Sequence, residues 1–329
     1  MEDVVTSPPG DPEDDLCARA AWLYYGAGLT QGEVAKRLNV PSVKAHRLVA
    51  RANRLGLVRV TIDAPIAACL DLEDALKAQF GLDQCVVAPE IDDDPMRMRA
   101  LGLAGGRFLQ REIESGAHAA IGVGHGRTLA ACVASLPRMD VPRLELVSLL
   151  GGMTRRYVAT PFDVIHRLAE RINAAAYVLP LPFLANSAED RAVLMDQRGV
   201  AEVFALGVAS TLRFVGVGTI DDQASILSAG LVEREEFEEA RRSGAVGELL
   251  GHLFTAEGAC IEGGVSARAL SMSTADIARR PTVAVAGGRS KVEPIRAVLA
   301  SGLLRGLVTD EATAKALRHK RRARTKNQR

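Results

Sequence analysis

The sequence predicts an N-terminal all-α, winged helix-turn-helix region followed by an α/β domain with a doubly wound parallel sheet. Apolar residues recur at helical spacing between positions 29 and 57, which predicts the first region. From about position 66 onward, short apolar runs alternate with helical segments, which predicts the second. The 329 residues are enough for both, and 48% hydrophobic and 25% charged residues are typical of a folded globular chain.

Charge and composition divide the chain into four predicted segments. Residues 1–15 contain six acids and no base, together with three prolines, and predict a disordered acidic leader. Residues 16–63 form the predicted helix-turn-helix domain, and residues 64–318 form the α/β domain. The last segment, 319–329, is a basic tail that we expect to be disordered. It is either simply solvated or touches nucleic acid.

Membrane, secretion and metal signals are missing from the sequence. No apolar stretch approaches the roughly 20 residues of a transmembrane helix, and the acidic N-terminus lacks the basic start of a signal peptide. The five cysteines are scattered and include no C-x-x-C pair, so neither a disulfide framework nor a zinc cluster is expected. We therefore expect a cytoplasmic protein with reduced thiols and no bound metal.

Two short amphipathic helices form the core of the first region. Thr30 and Glu33 have the spacing of a capping box, which predicts the start of the first helix. The first helix is predicted to end at Asn39, and Pro41, which a first helical turn tolerates, starts the second. A turn of three or four residues between two such helices is typical of a helix-turn-helix.

Flanking segments complete this predicted domain. An upstream helix over residues 16–26 is expected to bury Trp22 in a three-helix core. The alternating residues 58–62 predict a short β-wing. A small helical bundle used for dimerisation would have the same pattern.

Positive charge distinguishes DNA binding from that alternative. Residues 16–60 contain eight basic residues against a single acid, which suits a polyanionic partner. In a helix-turn-helix the second helix enters the major groove, and residues near its N-terminus reach base edges while flanking cations contact phosphates. The predicted DNA-binding residues are Thr30, Gln31, Ser42, Lys44, His46, Arg47 and Arg51.

The elements of the α/β domain follow from its apolar runs. Strands are predicted at 119–123, 144–150, 176–181, 212–217, 282–286 and 307–309. Helices are predicted at 66–80, 128–136, 161–173, 292–301 and 311–318. Ligands bind such sheets outside the carboxyl ends of the strands, so the loops at those ends are the candidate site.

Glycine-rich loops follow several predicted strands, at 122–128, 151–152, 216–219 and 287–291. A glycine loop that opens a helix presents free backbone N–H groups and the positive end of the helix dipole, which bind an anion such as a phosphate ester. Arg127, Thr128 and Lys291 add side-chain donors. Each glycine has the alternative role of permitting a tight turn. The dinucleotide fingerprint fails because Arg127 replaces its third glycine, and no phosphate-loop motif is present, so no cofactor is expected.

Motifs along the chain carry a family resemblance over residues 18–317. They are LTQGEVAKRLNVPSVKAHRLVARANRLGLVRV, IGVGHGRTLAACVASLP, VSLLGG, FDVIHRLAERINA, FVGVGTI, GAVGELLGHLFTAEG and VAVAGGRSKVEPIRAVLASGLLRGLVTDEATA. The sequence resembles the SorC family of sugar-responsive bacterial transcription regulators, which is grouped with the DeoR-type regulators. Within that family it is most similar to the repressors of polyol catabolism, such as those for erythritol.

The resemblance implies a fold, an assembly and an effector site. The fold is a sugar-phosphate-binding domain of the group that contains ribose-5-phosphate isomerase and glucosamine-6-phosphate deaminase, and the assembly is a homodimer or homotetramer on a palindromic operator. The implied effector-binding residues are Gly122, Gly124, His125, Gly126, Arg127, Thr128, Gly151, Gly152, Glu248 and Lys291. Gly124, His125 and Pro41 depart from residues common in the family, so the sugar end of the pocket and one phosphate contact are expected to differ.

Two functional hypotheses follow. The first is a DNA-binding repressor or activator of a carbohydrate or polyol operon, switched by a sugar or polyol phosphate. The second is a sugar-phosphate isomerase or deaminase fused to a DNA-binding module, with Asp310, Glu311 and Glu248 as acid and base. Acids at helix starts more often serve as caps, which favours the regulator. His125 has two similar alternatives, contact with an effector hydroxyl or exposure to solvent.

Overall fold

The computed structural model describes residues 12–55, 57–58, 66–91, 93–152 and 164–319. The chain divides into two compact units, Met1–Ala64 and Pro65–Arg329. Within the described ranges, no helix has both the length and the apolar character needed to cross a membrane. The predicted wing at 58–62 lies outside the described residues except for Val58, and so does the tail from residue 320 onward.

The N-terminal unit is helical. It consists of α1 (Pro12–Ala21), a π-helical turn (Trp22–Gly26), α2 (Gln31–Arg37) and α3 (Ser42–Arg54). Its core is formed by buried residues on all three helices: Cys17, Ala20, Val34, Ala35, Ala45, Leu48, Val49 and Ala52. Thr30 and Glu33 form the predicted capping box, in which the Thr30 N–H donates to Glu33 Oε2 at 2.8 Å. The all-α helix-turn-helix prediction is therefore confirmed.

Three details of this unit differ from the sequence prediction. Helix α1 begins at Pro12, so residues 12–15 are helical rather than disordered; their three acids favour the positive end of the helix dipole. Trp22 is 67% exposed, because the π-helical turn directs it away from the core that smaller residues fill. Pro41 is the N-cap of α3, one residue before the helix begins at Ser42.

The second unit is built on a parallel sheet of seven described strands. They are β1 (Gln84–Ala88), β2 (Ala120–Val123), β3 (Glu145–Ser148), β4 (Ala175–Tyr177), β5 (Leu212–Val215), β10 (Thr282–Val285) and β11 (Gly306–Asp310). Their order is β1-β11-β10-β5-β2-β3-β4, and every neighbouring pair is parallel. The doubly wound prediction is confirmed, and all six predicted strands are present, whereas β1 was missed.

A second, antiparallel sheet was not predicted. It consists of β6 (Gly218–Thr219), β7 (Ala245–Leu249), β8 (His252–Thr255) and β9 (Cys260–Ile261), in that order. A two-residue turn, Leu250–Gly251, joins β7 to β8, and both of its residues have positive φ, 52° and 86°. This is the geometry of a type I′ hairpin.

Helices cover the parallel sheet and link its strands. They are α4 (Ala67–Phe80), α5 (Asp94–Glu114), α6 (Arg127–Ser135), α7 (Val164–Ile172), α8 (Ala188–Met195), α9 (Arg198–Ala209), α10 (Ser225–Ser228), α11 (Arg234–Arg242), α12 (Val265–Arg268), α13 (Thr274–Ala278), α14 (Val292–Ala300) and α15 (Glu311–Arg318). A 3₁₀ turn, Arg289–Lys291, precedes α14. Two apolar clusters that share the sheet form the core.

A buried cation ties this unit together. Arg213 in β5 is fully buried, and its guanidinium donates to main-chain carbonyls at the ends of two helices, to Asp276 and Ile277 of α13 at 3.0 and 3.1 Å and to Val208 of α9 at 3.0 Å. The negative ends of the two helix dipoles favour this charge. Burial lowers the pKa of Arg213 to about 10.

The strand order reverses between β2 and β5. From β2 the chain proceeds outward through β3 and β4, and from β5 it proceeds in the other direction through β10 and β11. In open α/β sheets, the carboxyl ends of the two strands at such a switch point flank a crevice where ligands bind. The residues that follow Val123 and Val215 are therefore the candidate site.

Candidate functional site

A cavity of about 150 Å³ lies at this switch point. The loop after β2, the loop after β5, strand β7 and the 3₁₀ turn before α14 all contribute to its wall. Six of the ten predicted effector-binding residues line it: His125, Gly126, Arg127, Thr128, Glu248 and Lys291. Their positions in sequence span more than half the chain, and the sheet topology brings them together.

The N-terminus of α6 opens onto this cavity. Gly126 is its N-cap, with a φ of 128° that only glycine adopts readily, and Arg127 and Thr128 form its first turn. The first N–H groups of a helix have no partner within the helix, and the helix dipole places positive charge there. The exposed Arg127 side chain adds a cation. This end of the cavity is suited to an anion.

Lys291 adds a second cation, next to an acid. Its ammonium group donates to the Val217 carbonyl at 2.7 Å, and burial lowers the pKa of Lys291 while the neighbouring Glu248 opposes that shift. Burial also raises the pKa of Glu248, whose Oε1 accepts the Gly251 N–H at 2.6 Å. A Cβ on Gly218 would collide with Glu248 Oε2, so the carboxylate occupies space that only glycine leaves open.

Gly122 and Gly124 do not line the cavity, contrary to the prediction. Gly122 lies inside β2, where a Cβ would approach Leu149 too closely. The Gly124 N–H donates to the Phe214 carbonyl at 2.9 Å and continues the ladder between β2 and β5. Gly122 therefore serves packing of the sheet, and a Cβ on Gly124 would make a tight contact of 3.3 Å with the Val215 Cα of β5.

Gly151 and Gly152 are also outside the cavity lining. Gly151 donates its N–H to the Leu270 carbonyl at 2.9 Å, and Gly152 donates to the Leu181 carbonyl at 2.7 Å. A Cβ on Gly151 would collide with the main chain at Pro182. Gly151 is therefore needed for close approach between backbone segments, whereas a Cβ on Gly152 would make only an ordinary contact with the Leu181 carbonyl.

Polar residues that sequence reasoning missed complete the cavity. Asp221 and Gln223 follow β6, and the Asp221 carboxylate accepts bonds from the Thr219 hydroxyl and the Gln223 N–H at 3.0 and 2.9 Å. In the sequence, a polar run directly after a glycine loop could have indicated these two residues. Phe183 and Met98 supply apolar walls. Neither residue lies next to a glycine loop in the sequence, so the sequence did not indicate that they line the cavity.

Two of the three acids proposed for catalysis, Asp310 and Glu311, are engaged outside the cavity, whereas Glu248 lines it. Asp310 is 1% exposed; its Oδ1 accepts the Thr313 N–H at 2.9 Å as the cap of α15, and its Oδ2 accepts the Gly288 N–H at 2.8 Å. Glu311 pairs with Lys315 at 2.8 Å. Neither side chain lines the cavity. The capping role that the sequence favoured is the one observed.

In the N-terminal unit, the predicted DNA-binding residues cluster on the outer side of α2 and α3. Ser42, Lys44, His46 and Arg47 are all exposed. His46 Nδ1 lies 3.3 Å from the Gln31 Oε1 of α2, which links the two helices at their N-terminal ends. The Thr30 hydroxyl is used by the capping box.

Arg51 has protein partners. Its guanidinium lies 2.6 Å from Glu13 and 3.0 Å from Asp14, both in the first turn of α1. These ion pairs raise the pKa of Arg51, the bond to Glu13 being the largest cause. Arg51 thus joins α1 to α3, and its predicted phosphate contact requires exchange of carboxylates for phosphate.

The two units together define a class of protein. A helix-turn-helix region joined to a doubly wound domain with a small cavity at its switch point is the architecture of a ligand-responsive, DNA-binding regulator. A family model described as a putative sugar-binding domain matches residues 64–318, and the chain belongs to this family. The protein is a transcriptional regulator.

Similar proteins agree with this assignment. The chain is 53% identical over 309 residues to the erythritol catabolism regulatory protein EryD of Brucella abortus (strain 2308), covering 93% of this chain and 97% of that protein. It is 33% identical over 310 residues to the transcriptional regulator LsrR of Klebsiella pneumoniae, covering 93% of each.

Solved structures share the fold. The full-length sorbitol operon regulator SorC from Klebsiella pneumoniae aligns with a TM-score of 0.70 at 23% identity, over 94% of this chain and all of that one. A DeoR family transcriptional regulator from Listeria monocytogenes aligns with a TM-score of 0.69 at 22% identity, over 76% of this chain and 99% of that one.

Proposed function

We propose that this protein represses a polyol-catabolic operon and that a short phosphorylated polyol, in the erythritol class, binds the switch-point cavity and controls DNA affinity. One observation supports this proposal above all: two cations, a helix N-terminus and several oxygen-bearing side chains lie together in one small cavity. The name of the 53% identical relative, a regulator of erythritol catabolism, supports the choice of polyol.

The cationic end suits a phosphate ester. Arg127, Thr128 and the first N–H groups of α6 supply donors from one side, and Lys291 supplies an ammonium group from the other. Charge-assisted hydrogen bonds of this kind are about twice as strong as neutral ones. An uncharged polyol would give the partly buried Lys291 ammonium group no anion beyond the neighbouring Glu248 and Asp221 carboxylates.

The remaining wall suits hydroxyl groups on a short carbon chain. Asp221, Gln223 and Glu248 supply acceptors and one amide donor, and His125 lies at the same opening. The apolar side chains of Phe183 and the other walls would contact the carbon atoms. A cavity of about 150 Å³ is small against the 300–1,000 Å³ of typical drug-sized pockets, so the effector is a small molecule.

The DNA end of the proposal rests on α3. Ser42, Lys44, His46 and Arg47 contact DNA with Thr30, Gln31 and Arg51, and the effector shifts the population between DNA-competent and DNA-incompetent forms. A homodimer or homotetramer on a palindromic operator, located in the cytoplasm, completes the proposal. Reciprocity requires that operator DNA change effector affinity by the same factor.

DNA binding in the presence of defined compounds tests this function. The full-length protein is titrated into labelled DNA from upstream of its own operon, at fixed salt and with competitor DNA. Erythritol, erythritol phosphate, ribose 5-phosphate and inorganic phosphate are added separately. We expect specific binding that erythritol phosphate weakens and inorganic phosphate does not. Binding no tighter than to competitor, or specific binding that no polyol compound changes, would contradict the proposal.

A further inference from the structure

Helix α3 carries an apolar side chain on the face opposite its core. Val43 is 72% exposed, whereas Ala45, Leu48 and Val49 of the same helix are buried. At about 100° per residue, Val43 lies about 170° around the helix axis from the centre of the buried face. The packing of the N-terminal unit therefore places this side chain directly outward.

Val43 is the first residue of an outward-facing row. Arg47, Ala50 and Arg54 lie within about 40° of Val43 around the axis, and we call these four residues the outer stripe. The two arginines are exposed and can neutralise phosphates. Ala50 is small and allows close approach to a surface. Val43 and Ala50 have neither charge nor hydrogen-bonding capacity, and Val43 is the larger and more exposed of the two, so a partner that contacts Val43 is apolar.

Helix formation does not account for a valine at this position. A β-branched side chain loses rotamer freedom in a helix. Because Val43 is exposed, this loss is not offset by the stabilisation that burial of an apolar side chain provides. In a helix-turn-helix, residues in the first turn of the second helix reach base edges. The thymine C5 methyl is the apolar group that the major groove presents.

We propose that Val43 is a specificity-determining residue that contacts the C5 methyl of a thymine in each half-site of the operator. This inference rests on the proposed function, because it requires sequence-specific DNA binding. Burial of one methyl group changes affinity about fourfold, and the same contact in two half-sites changes it about fifteenfold.

Removing the methyl from DNA and the methyls from the protein tests the contact from both sides. The full-length protein first selects a binding site from a randomised duplex pool. Each thymine of that site is then replaced by deoxyuridine, which lacks only the methyl group. Binding is measured for the wild type, for Val43→Ala and for Val43→Thr. Val193→Ala is the matched control, because Val193 is 63% exposed on α8 of the other unit.

We expect one thymine in each half-site at which deoxyuridine weakens wild-type binding about fourfold and leaves Val43→Ala unaffected. Val193→Ala should behave as the wild type. Specific binding in which no deoxyuridine effect disappears in Val43→Ala would overturn the inference and leave the proposed function intact. So would a Val43→Ala variant that weakens selected and competitor DNA equally, since that result indicates a sequence-independent contact. If no site is selected, both the proposed function and the inference about Val43 are wrong.

Discussion

Replacing Lys291 by methionine should separate effector recognition from stability. The ammonium group lines the cavity and donates to the Val217 carbonyl at 2.7 Å, and its pKa is lowered by burial. A lysine whose pKa is lowered on folding costs stability while it is charged, so the apolar methionine removes that cost. The lost bond to Val217 costs about 1 kcal/mol. The net change in unfolding free energy should therefore be small.

Effector affinity should respond much more strongly. A hydrogen bond to a charged group contributes about 1.5–3 kcal/mol, so Lys291→Met should weaken erythritol phosphate binding roughly 10- to 150-fold. Erythritol itself carries no phosphate, so its binding affinity should change little. The ratio of the two affinities, measured by calorimetry for wild type and variant, isolates the contact between phosphate and Lys291.

Lys77→Met is the control for loss of a positive charge. Lys77 lies on α4, is 37% exposed and pairs with Asp74 at 2.6 Å. This variant should keep the wild-type affinity ratio. An unchanged ratio of the two affinities in Lys291→Met would refute the assignment of the anionic end. The same conclusion would follow if the affinities for both ligands fell equally without any change in the thermal unfolding midpoint.

Three further predictions concern the packing of the α/β unit. Gly218→Ala places a Cβ against the Glu248 carboxylate and should destabilise the α/β unit by about 1–3 kcal/mol in urea unfolding; wild-type stability would contradict this packing. Because burial raises the pKa of Glu248, its carboxyl contributes stability below its ordinary value of 4.5 that is lost as pH rises through the raised pKa. The free energy of unfolding of Glu248→Gln, relative to that of the wild type, should therefore increase as pH rises. A difference that stays constant with pH would contradict this. Arg213→Met leaves helix-end carbonyls unsatisfied at about 1–3 kcal/mol each, which outweighs the removed cost of burying the charge, and should lower the unfolding midpoint; an unchanged midpoint would show that the carbonyls find other partners.

The parallel sheet was predictable because most of its strands are buried on both faces. Such strands are continuous apolar runs, and the run at 282–286 corresponds to β10, which is buried throughout. The antiparallel sheet gave no comparable signal. Its central hairpin turns at Leu250 and Gly251, and leucine with a φ of 52° occupies a position where asparagine or glycine would mark a type I′ turn.

Helix α5 was missed for a different reason. Its 21 residues include Gly102, Gly105 and Gly106, which lower helix propensity and conceal the pattern. The structure shows what they permit, since a Cβ on Gly102 would lie 2.9 Å from the Cβ of Ala131 on α6. Close packing of α5 against α6 needs these glycines. A single sequence does not distinguish a glycine that breaks a helix from one that lets another helix approach.

The same ambiguity limited prediction of the site. Gly126 and Gly151 both follow sheet strands, yet Gly126 lines the cavity and Gly151 supports contact between backbone segments. What separates them is the role of the backbone at each glycine. Gly126 has a φ of 128° and directly precedes a helix, as does Gly288 with a φ of 103° before the 3₁₀ turn that carries Lys291. The first N–H groups of α6, directly after Gly126, have no partner within the helix and can bind an anion, whereas Gly151 donates its own N–H to Leu270. A glycine that directly precedes a helix, as Gly126 does, is therefore a stronger sequence signal for the anionic end of an effector site than a glycine alone.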